Sequence, residues 1–460
     1  MMMLSEVALA VNGTLLGVDT SIESVDTDSR RIEKNQLFVA IKGERFDGNQ
    51  FAEDAIAQGA AAVLISEENS QARPAVLVND SRIALGQLAA FWRNKTKAPI
   101  TAITGSNGKT TTKEMLNAIL AAAEADVHRI HATYGNLNND IGLPLTLLKI
   151  REHHAYVVVE MGMNHLGEIA YLTHIAKPDV AVINNVGTAH IGELGSRENI
   201  AKAKGEIFEG LSSSGIAVIN ADDDFADYWK SLNQHRKVLD FSLKRTADVI
   251  AQYQAHTTYT QMHLSTPHGT VEFRLHVLGE HNVYNALAAS TAAVALGISN
   301  EHIAQGLSGF DGVYARLQQK QGVNGAVLID DTYNANPDSM KAAIDVLSQQ
   351  PAIKVFVMGD MGELGGDAAT MHADIGCYAS ERGIQHFIGF GELSRHACMA
   401  YGASAKHFTE LEQLAFYVKL LMNAQVTVLV KGSRFMQMER VVKLIEQAPQ
   451  SSPKQDTEKV

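Results

Sequence analysis

Residues 100–112, Ile-Thr-Ala-Ile-Thr-Gly-Ser-Asn-Gly-Lys-Thr-Thr-Thr, restrict the possible folds more than any other stretch of the chain. The first five residues suit a buried β-strand. Gly105 and Gly108 bound a turn, and Lys109 and Thr110 open a helix whose Met115, Leu116, Ile119 and Leu120 recur at helical spacing. A strand that runs through a glycine-bounded turn into a helix presents backbone N–H groups to an anion, and glycine lets the anion come close. The expected nucleotide contacts are therefore Gly105, Ser106, Asn107, Gly108, Lys109, Thr110 and Thr111, with Lys109 reaching the terminal phosphates and the Thr110 hydroxyl binding the accompanying Mg²⁺. The general pattern G-x-x-x-x-G-K-[ST] is longer than the Gly105-x-x-Gly108-Lys109-Thr110 found here, a sign of either a weaker match or a particular subclass. An ordinary strand-to-helix turn with a surface lysine is the plainer alternative.

Such a core accounts for only part of 460 residues, a length that suggests about three domains. A formal charge of -12 argues against nonspecific binding to nucleic acid or to an acidic membrane. With Cys377 and Cys398 as the only cysteines, neither a disulfide framework nor a cysteine-rich metal site is available. The opening residues lack the basic and apolar regions of a leader, and no apolar run is long enough to span a bilayer. The expected location is the cytoplasm, and the expected state a monomer.

Along the chain, residues 1–80 read as a small mixed α/β domain. Short strands are expected at 37–41, 61–65 and 75–78, and a helix at 51–58 is stopped by Gly59. Between them lie Asp28-Ser29-Arg30 and a loop containing Gly43, Asp47, Gly48 and Asn49, either solvated turns or a seat for a diphosphate. Residues 81–314 alternate strand and helix, as in a mostly parallel sheet of the P-loop ATPase type, and Asp80 or Ser81 caps its first helix. Near-continuous apolar runs at 156–159, 180–183 and 216–219 suit strands covered on both faces. Residues 245–277 break that rhythm as an antiparallel addition. A third α/β domain, 315–460, has strands at 326–329, 354–357 and 426–430 and helices at 337–347 and 435–445. Its Gly359–Gly366 segment resembles a Rossmann turn without the G-x-G-x-x-G spacing of an NAD site, and the polar tail 451–460 is expected to be unstructured.

Several polar residues fall where a parallel sheet gathers its chemistry. Glu160 ends the strand after the loop's helix, where a carboxylate can meet nucleotide-bound Mg²⁺. His190 follows the next strand, although a lone histidine is more often structural. Lys202 and Lys204 read first as a solvated helix face; an ammonium cannot ligate Mg²⁺, whereas a lysine carbamate can. His281, Asn282 and Asn285 open a long apolar helix and either cap it or meet a nucleotide base. Asp330-Asp331-Thr332-Tyr333-Asn334-Ala335-Asn336-Pro337 and Lys431-Gly432-Ser433-Arg434 both join a strand to a helix, and two such loops in one domain suggest a ligand site.

Taken in order, Thr104–Thr111, Glu160-Met161-Gly162, His190, the Ala203–Phe208 segment around Lys204, Gly279-x-His281-Asn282-x-x-Asn285, Tyr333–Pro337 and Lys431–Arg434 resemble the motifs of the Mur ligase family over nearly the whole chain. The later motifs resemble its dipeptide-adding branch, and the D-N-P-R motif of the diamino-acid-adding branch is missing. The resemblance implies an ATP-dependent ligase that joins D-Ala-D-Ala to a UDP-N-acetylmuramoyl-tripeptide through an acyl phosphate. It implies that Lys109, Lys204 and His190 serve catalysis and that Thr110, Glu160, His190 and carbamylated Lys204 serve two Mg²⁺ ions. Asn282, Asn285, Arg316 and Asp331 would then surround ATP. Asp28, Ser29, Arg30, Gly43, Asp47, Gly48 and Asn49 would receive the UDP end, and Tyr333, Asn336 and Arg434 the peptide and dipeptide. Asn49 and Gly362 depart from the family's usual residues. Competing readings are a folylpolyglutamate-type ligase, a nucleotide switch without ligase activity, and a dinucleotide-dependent dehydrogenase built on residues 353–366.

Overall fold

The computed structural model describes residues 1–43, 46–351 and 353–447. Glu44, Arg45 and the tail 451–460 lie outside them. Three mixed or mostly parallel sheets follow one another along the chain. The first has five strands in the order Thr14–Leu16, Ala75–Leu77, Ala62–Ile65, Gln36–Val39, Ser24–Asp26, antiparallel only at its first edge. Asp80, not Ser81, caps the next helix, Ser81–Lys95, by accepting from the Arg82 and Ile83 N–H groups.

The central sheet has nine strands. Ile100–Thr104 lies inside it, parallel to Tyr156–Glu160 on one side and to Val180–Ile183 on the other. All of these strands are buried apart from the half-buried Tyr156, which explains their unbroken apolar runs. The expected antiparallel addition is present: Val249–Ala255, Thr260–Thr266 and Gly269–Leu275 extend the same sheet as a meander. The third sheet runs Gln318–Gln321, Val327–Asp331, Val426–Lys431, Ile353–Gly359, His386–Phe390, Lys406–Phe408, again antiparallel only at its first edge.

One expected helix needs correction. Residues 435–445 do not form a single helix; Arg434–Met436 is a 3₁₀ turn, Gln437 adopts a left-handed φ of 50°, and the helix is Glu439–Ile445. A left-handed non-glycine residue cannot continue a right-handed helix. No helix among the described residues is long and apolar enough to cross a membrane.

The apolar cores are unevenly shared. One cluster runs without a break from Leu4, Val39 and Leu64 of the first unit to Ile100, Val159 and Ile183 of the second. The clusters of the third unit begin after residue 316 and, among the described residues, include none from the other two.

Candidate active site

The phosphate loop is braced by the neighbouring strand. Asn185 accepts the Ser106 N–H on its carbonyl at 3.1 Å and the Asn107 N–H on Oδ1 at 3.0 Å, while its Nδ2 donates to the Asn107 carbonyl at 3.2 Å. Gly108 starts the helix Lys109–Glu124 with a φ of 81°, and a Cβ there would run into Asn285 Oδ1. The Lys109 ammonium folds back onto the Gly105 carbonyl at 2.6 Å. Burial lowers its pKa, and the nearby Glu160 carboxylate raises it in opposition.

Behind the loop runs a buried ladder of amides and a hydroxyl. Asn220 Nδ2 donates to the Asn184 carbonyl, Asn184 Nδ2 to Thr112 Oγ1 at 2.7 Å, Thr112 Oγ1 to Asn285 Oδ1 at 3.4 Å, and Asn285 Nδ2 to Asn282 Oδ1 at 3.0 Å. The ladder joins the helix Glu280–Ala295 to the loop helix. Asn282 and Asn285, expected beside a nucleotide, do line the cavity, but much of their hydrogen-bonding capacity goes into this internal scaffold.

Glu160 pairs in register with Ile103, one residue before the end of the loop strand. It is 1% exposed, its N–H donates to Thr133 Oγ1, and its Oε1 is buried without a hydrogen-bond partner. Lys204, on the helix Arg197–Gly205, is 2% exposed, and burial together with the charge of Lys109 holds its amine well below the usual lysine range. Neither side chain belongs to the cavity lining. His190 does, with a left-handed φ of 63°; its Nδ1 lies 2.8 Å from Glu363 Oε2. The Thr110 hydroxyl accepts from Arg316 at 3.0 Å. No cluster of three His, Cys, Asp or Glu side chains able to hold a metal occurs among the described residues.

The opposite wall comes from the third unit. The Arg316 guanidinium stacks over Tyr333 with 4.2 Å to the ring centroid. Lys431 bridges the Asp331 carboxylate at 2.6 Å and the Asn334 carbonyl at 2.9 Å. Burial pushes the Asp331 carboxyl up against the pull of Lys431. Asn336 caps the helix Pro337–Ser348 and donates to Asn107 of the phosphate loop at 2.8 Å. Arg434, mostly exposed, pairs with Glu439 at 3.1 Å. Arg316, Asp331, Tyr333, Asn336 and Arg434 all line one cavity of about 2160 Å³ together with Lys109, Thr110 and His190.

The N-terminal candidates stand apart from that cavity. Asp28 caps a short 3₁₀ turn and is gripped by both Arg30 Nε and Nη2, a contact that lowers its carboxyl pKa below the usual range. Ser29 opens the same turn. Asp47 caps the turn Gly48–Phe51, and Asn49, 6% exposed, is tied to Asp47 and to Ser66. Gly48 sits so close to the Ile41 backbone that no side chain fits. Asp28 and Gly43 nevertheless follow the carboxyl ends of adjacent parallel strands, Ser24–Asp26 and Gln36–Val39.

Sequence reasoning did not single out Asn185, Asp338 or Glu363, nor the Arg82–Asp140 ion pair at the cavity wall. Asp338 directly follows Asn336-Pro337 and reads as an ordinary acidic helix start. Its partner, Thr188, is 150 residues away.

Family profiles match in three blocks: the Mur ligase family catalytic domain over residues 21–93, the Mur ligase middle domain over 103–293, and the Mur ligase glutamate ligase domain over 315–434. The UDP-N-acetylmuramoyl-tripeptide–D-alanyl-D-alanine ligase of Escherichia coli is 41% identical, covering 96% of this chain and 98% of its own; that of Bacillus subtilis is 38% identical, covering 97% and 98%. Among solved structures, MurF from Acinetobacter baumannii superposes with a TM-score of 0.88 at 38% identity, covering 95% of this chain and 97% of its own. MurF ligase from Thermotoga maritima in complex with ADP gives 0.81 at 28% identity, covering 92% and 96%. The chain belongs to the Mur ligase family.

Proposed function

We propose that the protein uses ATP to join D-alanyl-D-alanine to UDP-N-acetylmuramoyl-tripeptide in the cytoplasm, completing a peptidoglycan precursor. The observation that carries this reading is a large cavity in which the phosphate loop faces the Arg316, Tyr333 and Lys431 cluster of the third unit. The full-length likeness to ligases of that name supports the choice of substrates. A folylpolyglutamate synthase from Mycobacterium tuberculosis, at 16% identity, shares the fold alone.

A carboxylate does not condense with an amine in water, because oxide is too poor a leaving group. In the proposed route the γ-phosphoryl of ATP passes to the tripeptide carboxylate, giving an acyl phosphate. The free amine of D-Ala-D-Ala attacks its carbonyl carbon, and phosphate departs from the tetrahedral intermediate. Lys109 neutralises charge on the transferring group, work that is mainly positioning and electrostatics. Positioning can lower a barrier by ~7–11 kcal/mol, and contact between the third unit and the phosphate loop supplies it. Thr110 and Glu160 would hold one Mg²⁺, and His190 with carbamylated Lys204 a second; bound there, the ions offset phosphate charge. The unpartnered Glu160 Oε1 and the neutral-leaning Lys204 amine fit those duties. Asn282, Asn285, Arg316 and Asp331 enclose the nucleotide. Tyr333, Asn336 and Arg434 receive the peptide ends, and the Asp28–Arg30 and Gly43–Asn49 loops the UDP.

Phosphate release with ATP, Mg²⁺, UDP-tripeptide and D-Ala-D-Ala, each omitted in turn, tests the reading. Release is expected only with all four present. Equal release without D-Ala-D-Ala would overturn it.

A further inference from the structure

The segment from Asn185 to Gly195 carries His190 and is held in an unusual way. Its start is fixed by the central unit: Asn185 braces the phosphate loop, and the Val186 N–H donates to Asp223 at 2.7 Å. Its middle is held by the third unit. The Thr188 N–H and hydroxyl both donate to Asp338 Oδ2, at 2.6 and 2.8 Å. His190 faces Glu363, and the Gly192 N–H donates to the Glu363 carbonyl at 3.3 Å. Two glycines make room for this docking. A Cβ on Gly187 would collide with the Asp338 carboxylate, its next neighbour being the Asn107 amide at 3.3 Å. On Gly192 a Cβ would lie 2.7 Å from Gly365 N and 2.9 Å from Glu363 O. The atoms that a methyl at either position would crowd severely belong to the third unit.

We propose that Asp338 is a positioning residue: by docking onto Gly187 and Thr188 it couples closure of the third unit to the placement of His190, and Gly187 and Gly192 are the seats that permit it. The consequence for catalysis rests on the ligase reading; the docking itself does not.

The test joins kinetics to hydrogen exchange in the full-length protein. With a non-hydrolysable ATP analogue, the Thr188 and Gly192 amides should be protected in the unaltered protein. Gly187→Ala should lose that protection and lower kcat by about tenfold to a hundredfold, with KM for ATP changed far less. Asp338→Ala should do the same, and Asp338→Asn, which keeps an acceptor, should recover part of the loss. The double variant Gly187→Ala/Asp338→Ala should be no worse than Asp338→Ala, because removing the carboxylate removes what the methyl strikes. Should Gly187→Ala not fold, Gly192→Ala presents the same obstruction from the second seat. Additive losses, or undiminished protection in Gly187→Ala, would overturn the coupling. Failure of the ligase reading alone would show as phosphate release indifferent to D-Ala-D-Ala, with the exchange pattern intact.

Discussion

At the scale of single residues, Lys204 and Lys202 share one helix and differ in surroundings: Lys202 is exposed, Lys204 buried beside Lys109. Removing water from an ammonium and placing a second cation nearby both favour the neutral amine, the form that reacts with CO₂. The product, an anionic carbamate, would face Lys109 with the opposite sign. Lys204→Ala is expected to lose most ligation and to regain part of it in formate or acetate, which return a carboxylate to the vacated space. Absence of any recovery in steady-state assays would count against the carbamate. The residue type was visible in the sequence, but its burial was not, since the surrounding Arg197–Gly205 helix is rich in charge and reads as solvated. The strand-end placement of Glu160 and Asp331 was legible for a physical reason: apolar runs mark the strands of a parallel sheet, and polar groups follow at their carboxyl ends. Asp338 and Glu363 were not, because their roles lie in contacts across the cavity that no local spacing encodes.

At the scale of elements, two helix starts invite comparison. Gly108 and Gly167 both precede helices with left-handed φ, 81° and 87°. A Cβ at Gly108 would strike Asn285, whereas at Gly167 nothing lies within 4 Å. Gly167→Ala should therefore cost only backbone strain, about 1–2 kcal/mol in urea unfolding. Gly108→Ala should cost more and also weaken nucleotide binding by displacing Asn285 from its ladder. Equal losses from the two substitutions would show that the collision is relieved without consequence. Element types were well marked in the sequence by apolar runs and helical spacing. The misjudged start at residue 435 has a local cause: Gln437 turns left-handed where periodicity alone continues a helix.

At the scale of the whole molecule, burial lowers the pKa of His131, His154, His281 and His372, reaching about 4 for His154 and His281. Folding favours the neutral form of each, so their contribution is complete above the unfolded value near 6.5 and is lost progressively as pH falls toward 4. The urea midpoint should drop between pH 7 and pH 5; a constant midpoint would reject this account. The ladder behind the phosphate loop carries amides and a hydroxyl, none of which titrates in that range.

The unequal sharing of apolar cores has a mechanical meaning. The first and second units are welded by one continuous hydrophobic cluster, whereas Asn107–Asn336, Thr188–Asp338, His190–Glu363 and Thr110–Arg316 join the third by polar contacts. Water can replace polar contacts at little net cost, but exposing a greasy seam is expensive. Parting the third unit from the other two would therefore expose little apolar surface, whereas parting the first from the second would open a continuous core. A displacement of the third unit, with Arg316, Tyr333 and Lys431, would leave the first unit in register with the phosphate loop.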